Sequence, residues 1–224
     1  MSFNPHKPIR ARRLARLTQR GFSLVELSIA LAIVSLVIVG SLVGVQRILA
    51  NNRANAVMME VPKINAAIIG MASDGTSLQD INTDTALALG AFPASNLVTA
   101  GGKTWIRNAF GGAYGVHGLL ANPKFSNDRH YAISLTKIPD NMCGTIVNGL
   151  ATIAAAIWID DRPNPSQGLT PPSDDSKYIK HGAAPISLKT LANECNAPTA
   201  TVIAASGAAG AKPERVIYAL MSTE

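Results

Sequence analysis

Residues 20–47 read RGFSLVELSIALAIVSLVIVGSLVGVQR, and the rest of the chain is best understood outward from this stretch. From Leu27 to Gln46 no charged residue occurs in twenty positions. Twenty helical residues rise about 30 Å, which matches the hydrocarbon core of a bilayer. The stretch therefore predicts a membrane-spanning helix with one carboxylate, Glu26, at its start. Because a bare carboxylate is costly in lipid, Glu26 is expected to need a partner.

The length of the uncharged run favours a membrane span over a secretory signal peptide, which is the alternative interpretation. A signal peptide has an apolar core of roughly 7 to 15 residues followed by a small-residue cleavage site. Cleavage at Ser41 or Gly44 would also discard Glu26. Gly40 and Gly44 form a GxxxG pair, a spacing that lets membrane helices approach each other closely. Since glycines are frequent in membrane helices, chance is the alternative explanation of this pair.

Basic residues are concentrated ahead of the run. The protein has 224 residues and a net charge of +6, with 47% hydrophobic and only 15% charged residues. Six basic residues precede Gly21, with no acidic residue among them: Lys7, Arg10, Arg12, Arg13, Arg16 and Arg20. From Phe22 onward basic and acidic residues are equal in number, 14 of each. A basic tail before an apolar run indicates a cytoplasmic tail. The balanced body argues against a nucleic-acid-binding protein, with contact by the tail alone as the alternative.

A helical pattern continues beyond the apolar run. Apolar residues recur at spacings of three and four, as in an amphipathic helix: Ala54, Val57, Val61, Ile64, Ile68 and Met71. One helix is therefore predicted over about 22–71, ended by turn residues at 73–75. Pro62 is expected to kink it, because proline removes a backbone donor and clashes with the preceding turn. Gly40 and Gly44 are further weak points.

The two cysteines, Cys143 and Cys195, both lie in the second half of the chain. If the basic tail is cytoplasmic, the body lies across the membrane, where disulfides persist. Two thiols in an exported body most simply form one disulfide. Two unrelated buried thiols are the alternative.

The segment from Gly21 to Glu26, GFSLVE, together with the uncharged run, resembles the type III signal of type IV pilins. The resemblance implies that a prepilin peptidase cuts between Gly21 and Phe22, releases the leader 1–21 and methylates Phe22. It also implies that Glu26 directs assembly. The new α-amine is mostly cationic at neutral pH, so Glu26 of one subunit is expected to pair with the amine of a neighbour. The long leader and the body resemble the type IVb subfamily, whereas Phe22 at the cut is more typical of type IVa.

The resemblance implies an α+β pilin fold, in which a head at residues 76–224 packs an antiparallel sheet on the long helix. Short apolar pieces bounded by turn residues give the candidate strands 104–107, 114–118, 129–135, 200–204 and 216–221. The segment 105–114 resembles the aromatic-Gly-Gly turn that type IVb pilins often carry. A further helix is predicted to start near Pro139, and its apolar spacing continues to Ile157.

Residues 160–185 are rich in proline and aspartate and are predicted to form a long surface loop. The loop lies between the cysteines, inside what the family calls the D-region, here 143–195. Its aspartates lack EF-hand spacing, so no metal site is predicted. His117, His130 and His181 stand in no metal-ligand or catalytic motif. Neither an enzyme nor a cofactor is therefore expected.

These observations predict a prepilin whose N-terminal helix, 22–75, spans the inner membrane through 22–46 and then forms the core of an extracellular filament. The leader is expected in the cytoplasm and the head in the periplasm before assembly, and the filament on the cell surface afterwards. Adhesion, motility, conjugation or DNA uptake would be properties of the fibre. The expected partners are identical subunits, the prepilin peptidase, the pilus assembly machinery and, before assembly, membrane lipid; direct contact with nucleic acid is not predicted. The alternatives are a minor pilin or type II secretion pseudopilin, and a monotopic enzyme or binding protein with an uncleaved anchor.

Overall fold

The computed structural model describes residues 23–73, 77–120, 124–126, 128–160, 168–196 and 215–223. The leader, the cut site at Gly21 and Phe22, and the strand predicted at 200–204 lie outside the described residues. The chain divides between Gln46 and Arg47 into two compact units.

The first element is one long helix, α1 (Leu24–Ala72), close to the predicted bounds. The helix continues through Pro62. The predicted stripe is buried, with exposed fractions of at most 1%, at Ala54, Val57, Val61, Ile64 and Ile68. Met71 packs against the same core. We call residues 24–49 the apolar half of α1 and residues 50–72 the striped half.

The described part of the head contains one antiparallel sheet of seven strands, in the order β1-β2-β3-β4-β7-β5-β6. The strands are β1 (Leu97–Ala100), β2 (Lys103–Arg107), β3 (Ala113–Gly118), β4 (His130–Thr136), β5 (Ala156–Asp160), β6 (Tyr178–His181) and β7 (Val216–Ser222). The last strand, β7, is inserted between β4 and β5 and therefore lies inside the sheet, whereas β1 and β6 form its edges. The predicted fold class, a long helix with an antiparallel sheet, is confirmed.

Three shorter α-helices occur among the described residues: α2 (Thr83–Ala88), α3 (Asp140–Leu150) and α4 (Leu188–Asn196). Asn82 caps α2, because its side-chain oxygen accepts the backbone N–H of Thr85 at 2.8 Å. Pro139 immediately precedes α3, as the sequence predicts. At Gly149 a Cβ atom would lie 2.3 Å from Sδ of Met58. The absence of a side chain at this position therefore allows α3 to pack closely on α1.

The sheet has an apolar core on each face. Alternate residues of β4, including Tyr131 and Ile133, share one core with the striped half of α1 and with α3. Ala132, which lies between these two residues, belongs to a second core, in which Trp158 stacks on Tyr218 with ring centroids 5.3 Å apart. Because the central strands are covered on both faces, they are apolar nearly throughout.

Two segments differ from the predictions. The helix predicted to continue to Ile157 ends at Leu150, and β5 occupies the following positions. β5 is hydrogen-bonded to β7 and β6, and its first three residues are buried. A fully buried strand is a short apolar run that periodicity cannot distinguish from a helix. The surface loop predicted at 160–185 contains β6, whose first two residues are buried, so that prediction is wrong for this part of the segment.

Candidate assembly segment and its support in the head

The apolar half of α1 presents its hydrophobic residues to the outside. Leu24 is 86% exposed and Leu36 is 76% exposed. Among the described residues α1 has the length and composition to cross a membrane, and its most apolar window is not buried within the chain. Such a surface requires lipid or other apolar helices around it, since exposure of apolar area to water is unfavourable.

The serine hydroxyl groups in this half do not add polar surface to it. Each hydroxyl donates to a carbonyl oxygen of the preceding turn, a common arrangement for serine inside a helix. The donor and acceptor residues are Ser28 and Val25 at 2.8 Å, Ser35 and Leu31 at 2.7 Å, and Ser41 and Ile38 at 2.8 Å. These groups are therefore satisfied within the helix, as a lipid environment demands.

Glu26 lies in the first turn of α1 and is exposed. The positive end of the helix dipole favours a carboxylate in this turn. Within the described residues the side chain of Glu26 makes no hydrogen bond or ion pair. The amine expected to pair with it, on Phe22, belongs to a residue outside the described ranges, so the assembly role of Glu26 stays a prediction.

Gly40 and Gly44 also remain unexplained by contacts inside the chain. A Cβ atom built on either glycine meets nothing within 4 Å. Their predicted roles in packing, like that of Pro62 in kinking α1, stay predictions.

Two tyrosine hydroxyl groups attach the striped half of α1 to the sheet. Tyr114 on β3 donates to a carboxylate oxygen of Glu60 at 2.7 Å. Tyr131 on β4 donates to the side-chain oxygen of Asn65 at 2.6 Å. Burial raises the pKa of both tyrosines well above the usual value, and for Tyr114 the bond to Glu60 raises it further. Sequence analysis missed this pair of contacts. The one feature of the sequence that could have indicated them is that the two acceptor residues, Glu60 and Asn65, lie next to the apolar stripe of α1.

The predicted aromatic-Gly-Gly turn joins β2 to β3. Asn108, which is 3% exposed, organises it. Its side-chain oxygen accepts the backbone N–H groups of Phe110 at 2.9 Å and Gly112 at 3.0 Å, and its amide donates to the carbonyl of Thr136 at 2.9 Å. Gly111 has φ +85°, and a Cβ at Gly112 would lie 2.0 Å from the Thr136 carbonyl oxygen. Both glycines are therefore required by the geometry of the turn.

A disulfide joins α3 to α4. Cys143 and Cys195 are bonded with Cα atoms 5.7 Å apart, which confirms the predicted bridge. Beside it the guanidinium of Arg215, whose residue is only 8% exposed, donates to Asp140 Oδ1 at 3.0 Å and to the carbonyl oxygen of Cys195. A cation at the carbonyl end of α4 is favourable. Sequence analysis missed Arg215. The one feature that could have indicated its role is its position directly before an apolar strand.

The three histidines of the head have structural contacts. His117 is 5% exposed, with Nε2 3.0 Å from the hydroxyl of Ser134. Burial lowers the pKa of His117 to about 4, so its ring is neutral at neutral pH. His130 contacts a backbone carbonyl at 3.0 Å, and His181 stacks on Tyr178 with centroids 4.9 Å apart. No group of three or more His, Cys, Asp or Glu residues in the described ranges is arranged to hold a metal ion.

Comparison with known proteins found two similarities, one in the N-terminal sequence and one in the fold. Residues 16–42 match the family model of the prokaryotic N-terminal methylation motif. No curated protein matches the chain. The crystal structure of TcpA, a type IV pilin from Vibrio cholerae El Tor biotype, is 14% identical, with a TM-score of 0.50 over 76% of this chain and 99% of that one. The crystal structure of the type IVb pilin from Salmonella typhi is 17% identical, with a TM-score of 0.46 over 72% of this chain and 95% of that one.

The likeness to the Vibrio cholerae structure shows the fold of the described residues. The motif match covers Glu26, the segment before it from residue 16 onward, and the uncharged run as far as Leu42. The chain therefore carries the prokaryotic N-terminal methylation motif at residues 16–42 and has the fold of a type IV pilin.

Proposed function

We propose that this chain is a prepilin of the type IVb kind, a structural subunit of a type IV pilus. A prepilin peptidase removes residues 1–21 and methylates Phe22. The mature subunit is anchored in the inner membrane by 22–46, with residues 76–224 in the periplasm. The pilus assembly machinery then inserts the subunit into an extracellular filament, in which α1 helices of identical subunits form the core.

The unequal burial of α1 carries this proposal. The apolar residues of the striped half are covered by the sheet, whereas the apolar half is exposed at every position whose exposure is described. Burying one large aliphatic side chain contributes about 1.5–3 kcal/mol. An apolar surface of this length is stable in lipid and, when several copies pack their helices together, in a filament core. Gly40 and Gly44 would permit close approach between such helices.

Glu26 gives the association a register. A central acidic residue in a membrane helix costs about 3 kcal/mol on insertion scales. Cleavage before Phe22 creates an amine four residues upstream, and pairing between the amine of one subunit and Glu26 of the next offsets part of that cost. The charge pair would set the axial position of each subunit, while apolar packing supplies most of the energy.

The mature N-terminus tests the proposal directly. Intact-mass and fragment spectra of the protein from cells should give a chain that begins at Phe22 and carries one added methyl group. Gly21→Leu should abolish this processing and leave the leader attached. A wild-type chain that retains its leader in cells would overturn the proposal and favour an uncleaved anchor.

Fibre yield tests the role of Glu26. Glu26→Ala should leave processing intact and lower the yield of sheared fibres about tenfold or more, the effect of roughly 1.4 kcal/mol in an assembly equilibrium. The matched control is Asp84→Ala, which removes an exposed carboxylate from α2 and should leave the yield unchanged. Equal yields from Glu26→Ala and wild type would contradict the charge pair. Trace abundance of the wild-type chain in purified fibres would indicate a minor pilin.

A further inference from the structure

A cleft of about 360 Å³ lies between the striped half of α1 and the turn that joins β2 to β3. Arg53 and Glu60 line it from the helix, and Arg107 and Phe110 line it from the sheet side. Both arginines are exposed, whereas Glu60 is half-buried and its carboxylate accepts the hydroxyl of Tyr114. We call this site the basic cleft, because its cations outnumber its anion.

The two arginines of the basic cleft have no partner inside the chain. Within the described residues, the side chains of Arg53 and Arg107 make no hydrogen bond or ion pair. Each guanidinium presents five N–H donors in a planar fork that matches a carboxylate. Arg53 and Glu60 are seven residues apart in α1, a helical rise of about 10 Å. A site of that length fits a surface with more than one carboxylate better than a single small anion.

Two exposed carboxylates without a partner lie at the other end of β3. Asp80 precedes Ile81, whose carbonyl accepts the backbone N–H of Gly118, the last residue of β3, at 2.6 Å. Asp128 lies two residues before the start of β4, whose second residue pairs with Gly118. Where the structure describes the chain, the side chains of Asp80 and Asp128 make no hydrogen bond or ion pair. We call Asp80 and Asp128 the acidic end.

The length of β3 keeps the basic cleft and the acidic end of one head apart. Arg107 pairs with Ala113, the first residue of β3, whereas the acidic end lies at Gly118. The five steps from Ala113 to Gly118 span about 16 Å. An ion pair requires a separation of about 4 Å or less. Carboxylates that meet both arginines therefore have to come from another molecule.

We propose that the acidic end of one subunit binds the basic cleft of the next subunit in the filament. The carboxylates of Asp80 and Asp128 accept hydrogen bonds from the guanidinium groups of Arg53 and Arg107, two anions on two cations. Glu60 stays bonded to the hydroxyl of Tyr114. This inference rests on the proposed function as a filament subunit and names a contact between the heads.

The difference between the two surfaces determines what kind of assembly they build. A contact between unlike surfaces is heterologous, and its repetition gives an open filament whenever the rotation does not close a ring. Every subunit carries one basic cleft and one acidic end, so each can bind one neighbour on either side. The charge pairs would supply orientation and register, since complementary charges contribute more to specificity than to affinity.

Asp84 is a third exposed carboxylate but lies outside the acidic end. Its neighbour Thr83 accepts the backbone N–H of Val116 at 2.9 Å, two residues before the end of β3. Asp84 also belongs to the first turn of α2, where the helix dipole favours a carboxylate. It is therefore a suitable control for changes at the acidic end.

Charge reversal in cells that make fibres tests the proposal. Arg53→Glu/Arg107→Glu should lower the yield of sheared fibres about tenfold or more, because like charges then face each other. Asp80→Arg/Asp128→Arg should lower it to a similar extent. When the four changes are combined, opposite charges meet again with the sides exchanged, and the yield should return to within about threefold of wild type.

The controls reverse exposed charges outside both surfaces. Lys63→Glu/Lys189→Glu and Asp84→Arg should each change the yield less than about threefold. Equal losses in these controls would overturn the proposal, as would a fourfold variant that keeps the tryptophan fluorescence of a folded head but stays as low as the arginine variant. Wild-type yield from the arginine variant would also overturn it and would leave the basic cleft to an anionic partner outside the fibre.

Oxidative cross-linking decides the case in which the fourfold variant does not fold. Arg107→Cys is combined in turn with Asp80→Cys and with Asp128→Cys. A head-to-tail contact joins successive copies, so at least one combination should give a ladder of multimers from fibres, whereas a contact between like surfaces stops at dimers. Dimers or monomers alone in both would overturn the proposal. A chain that begins at methylated Phe22 and forms fibres, with neither charge rescue nor a ladder, would remove this inference alone; a retained leader would remove the pilin proposal as well.

Discussion

The two halves of α1 belong to one helix, but their apolar residues differ in whether the rest of the chain covers them. In the striped half these residues recur every three or four positions, and the sheet covers them. In the apolar half they surround the helix, and all whose exposure is described lie open. A periodic pattern thus indicates a partner within the chain, whereas a uniform pattern indicates a partner outside it. The stability of the head should then depend on contacts after Gln46 and be indifferent to changes before it.

The largest effect within the head is expected from the disulfide. Cys143→Ser/Cys195→Ser removes a bridge between residues separated by 52 positions, and the chain-entropy model gives about 4 kcal/mol for such a loop. Urea unfolding of the full chain in detergent measures this, followed by the fluorescence of Trp105 and Trp158, which both lie in the head. An unchanged unfolding midpoint would mean that the contacts around Arg215 alone hold α3 to α4.

A pair of isoleucine substitutions compares the two halves of α1 directly. Ile64 is fully buried and Ile33 is 57% exposed. Ile64→Ala should lower the free energy of unfolding of the head by about 3 kcal/mol, because it leaves a cavity against the sheet. Ile33→Ala should change it by less than about 0.5 kcal/mol. The same fluorescence titration measures both, and similar losses in the two variants would contradict the division of α1.

Acid should destabilise the head through His117. Its pKa is about 4 in the folded chain and about 6.5 when unfolded. The unfolded state therefore binds the proton first as pH falls, and stability present above pH 6.5 is lost between 6.5 and 4. The expected loss from pH 7.5 to pH 5 is about 2 kcal/mol. His117→Gln should flatten this part of the pH profile; an identical slope in wild type and variant would assign the acid sensitivity to other groups.

Local patterns were sufficient to predict α1, β2, β3, β4 and β7, because each shows a strong period or a short apolar run between turns. They failed at β5, which pairs with the distant strand β7, and at β6, which pairs with β5. The same limit applies to the side-chain contacts that join distant parts of the head and the striped half of α1. Cys143 and Cys195 were paired by counting thiols, but no local pattern connects Arg215 to Asp140, or Tyr114 to Glu60. These contacts join residues that are 54 to 75 positions apart.

Loss of one tyrosine hydroxyl is expected to have the smallest effect on stability, and that effect should be confined to the striped half of α1. Tyr114→Phe removes the hydroxyl that donates to Glu60, and a typical hydrogen bond contributes about 1 kcal/mol. The striped half should open more often as a result, so amide hydrogen exchange at 57–68 should accelerate about fivefold. Tyr178→Phe is the control, because it removes a hydroxyl bonded to the carbonyl of Pro172, away from α1. Its exchange at 57–68 should match wild type. Faster exchange in the apolar half of the Tyr114 variant would show that the two halves open together, which their separate patterns of burial argue against.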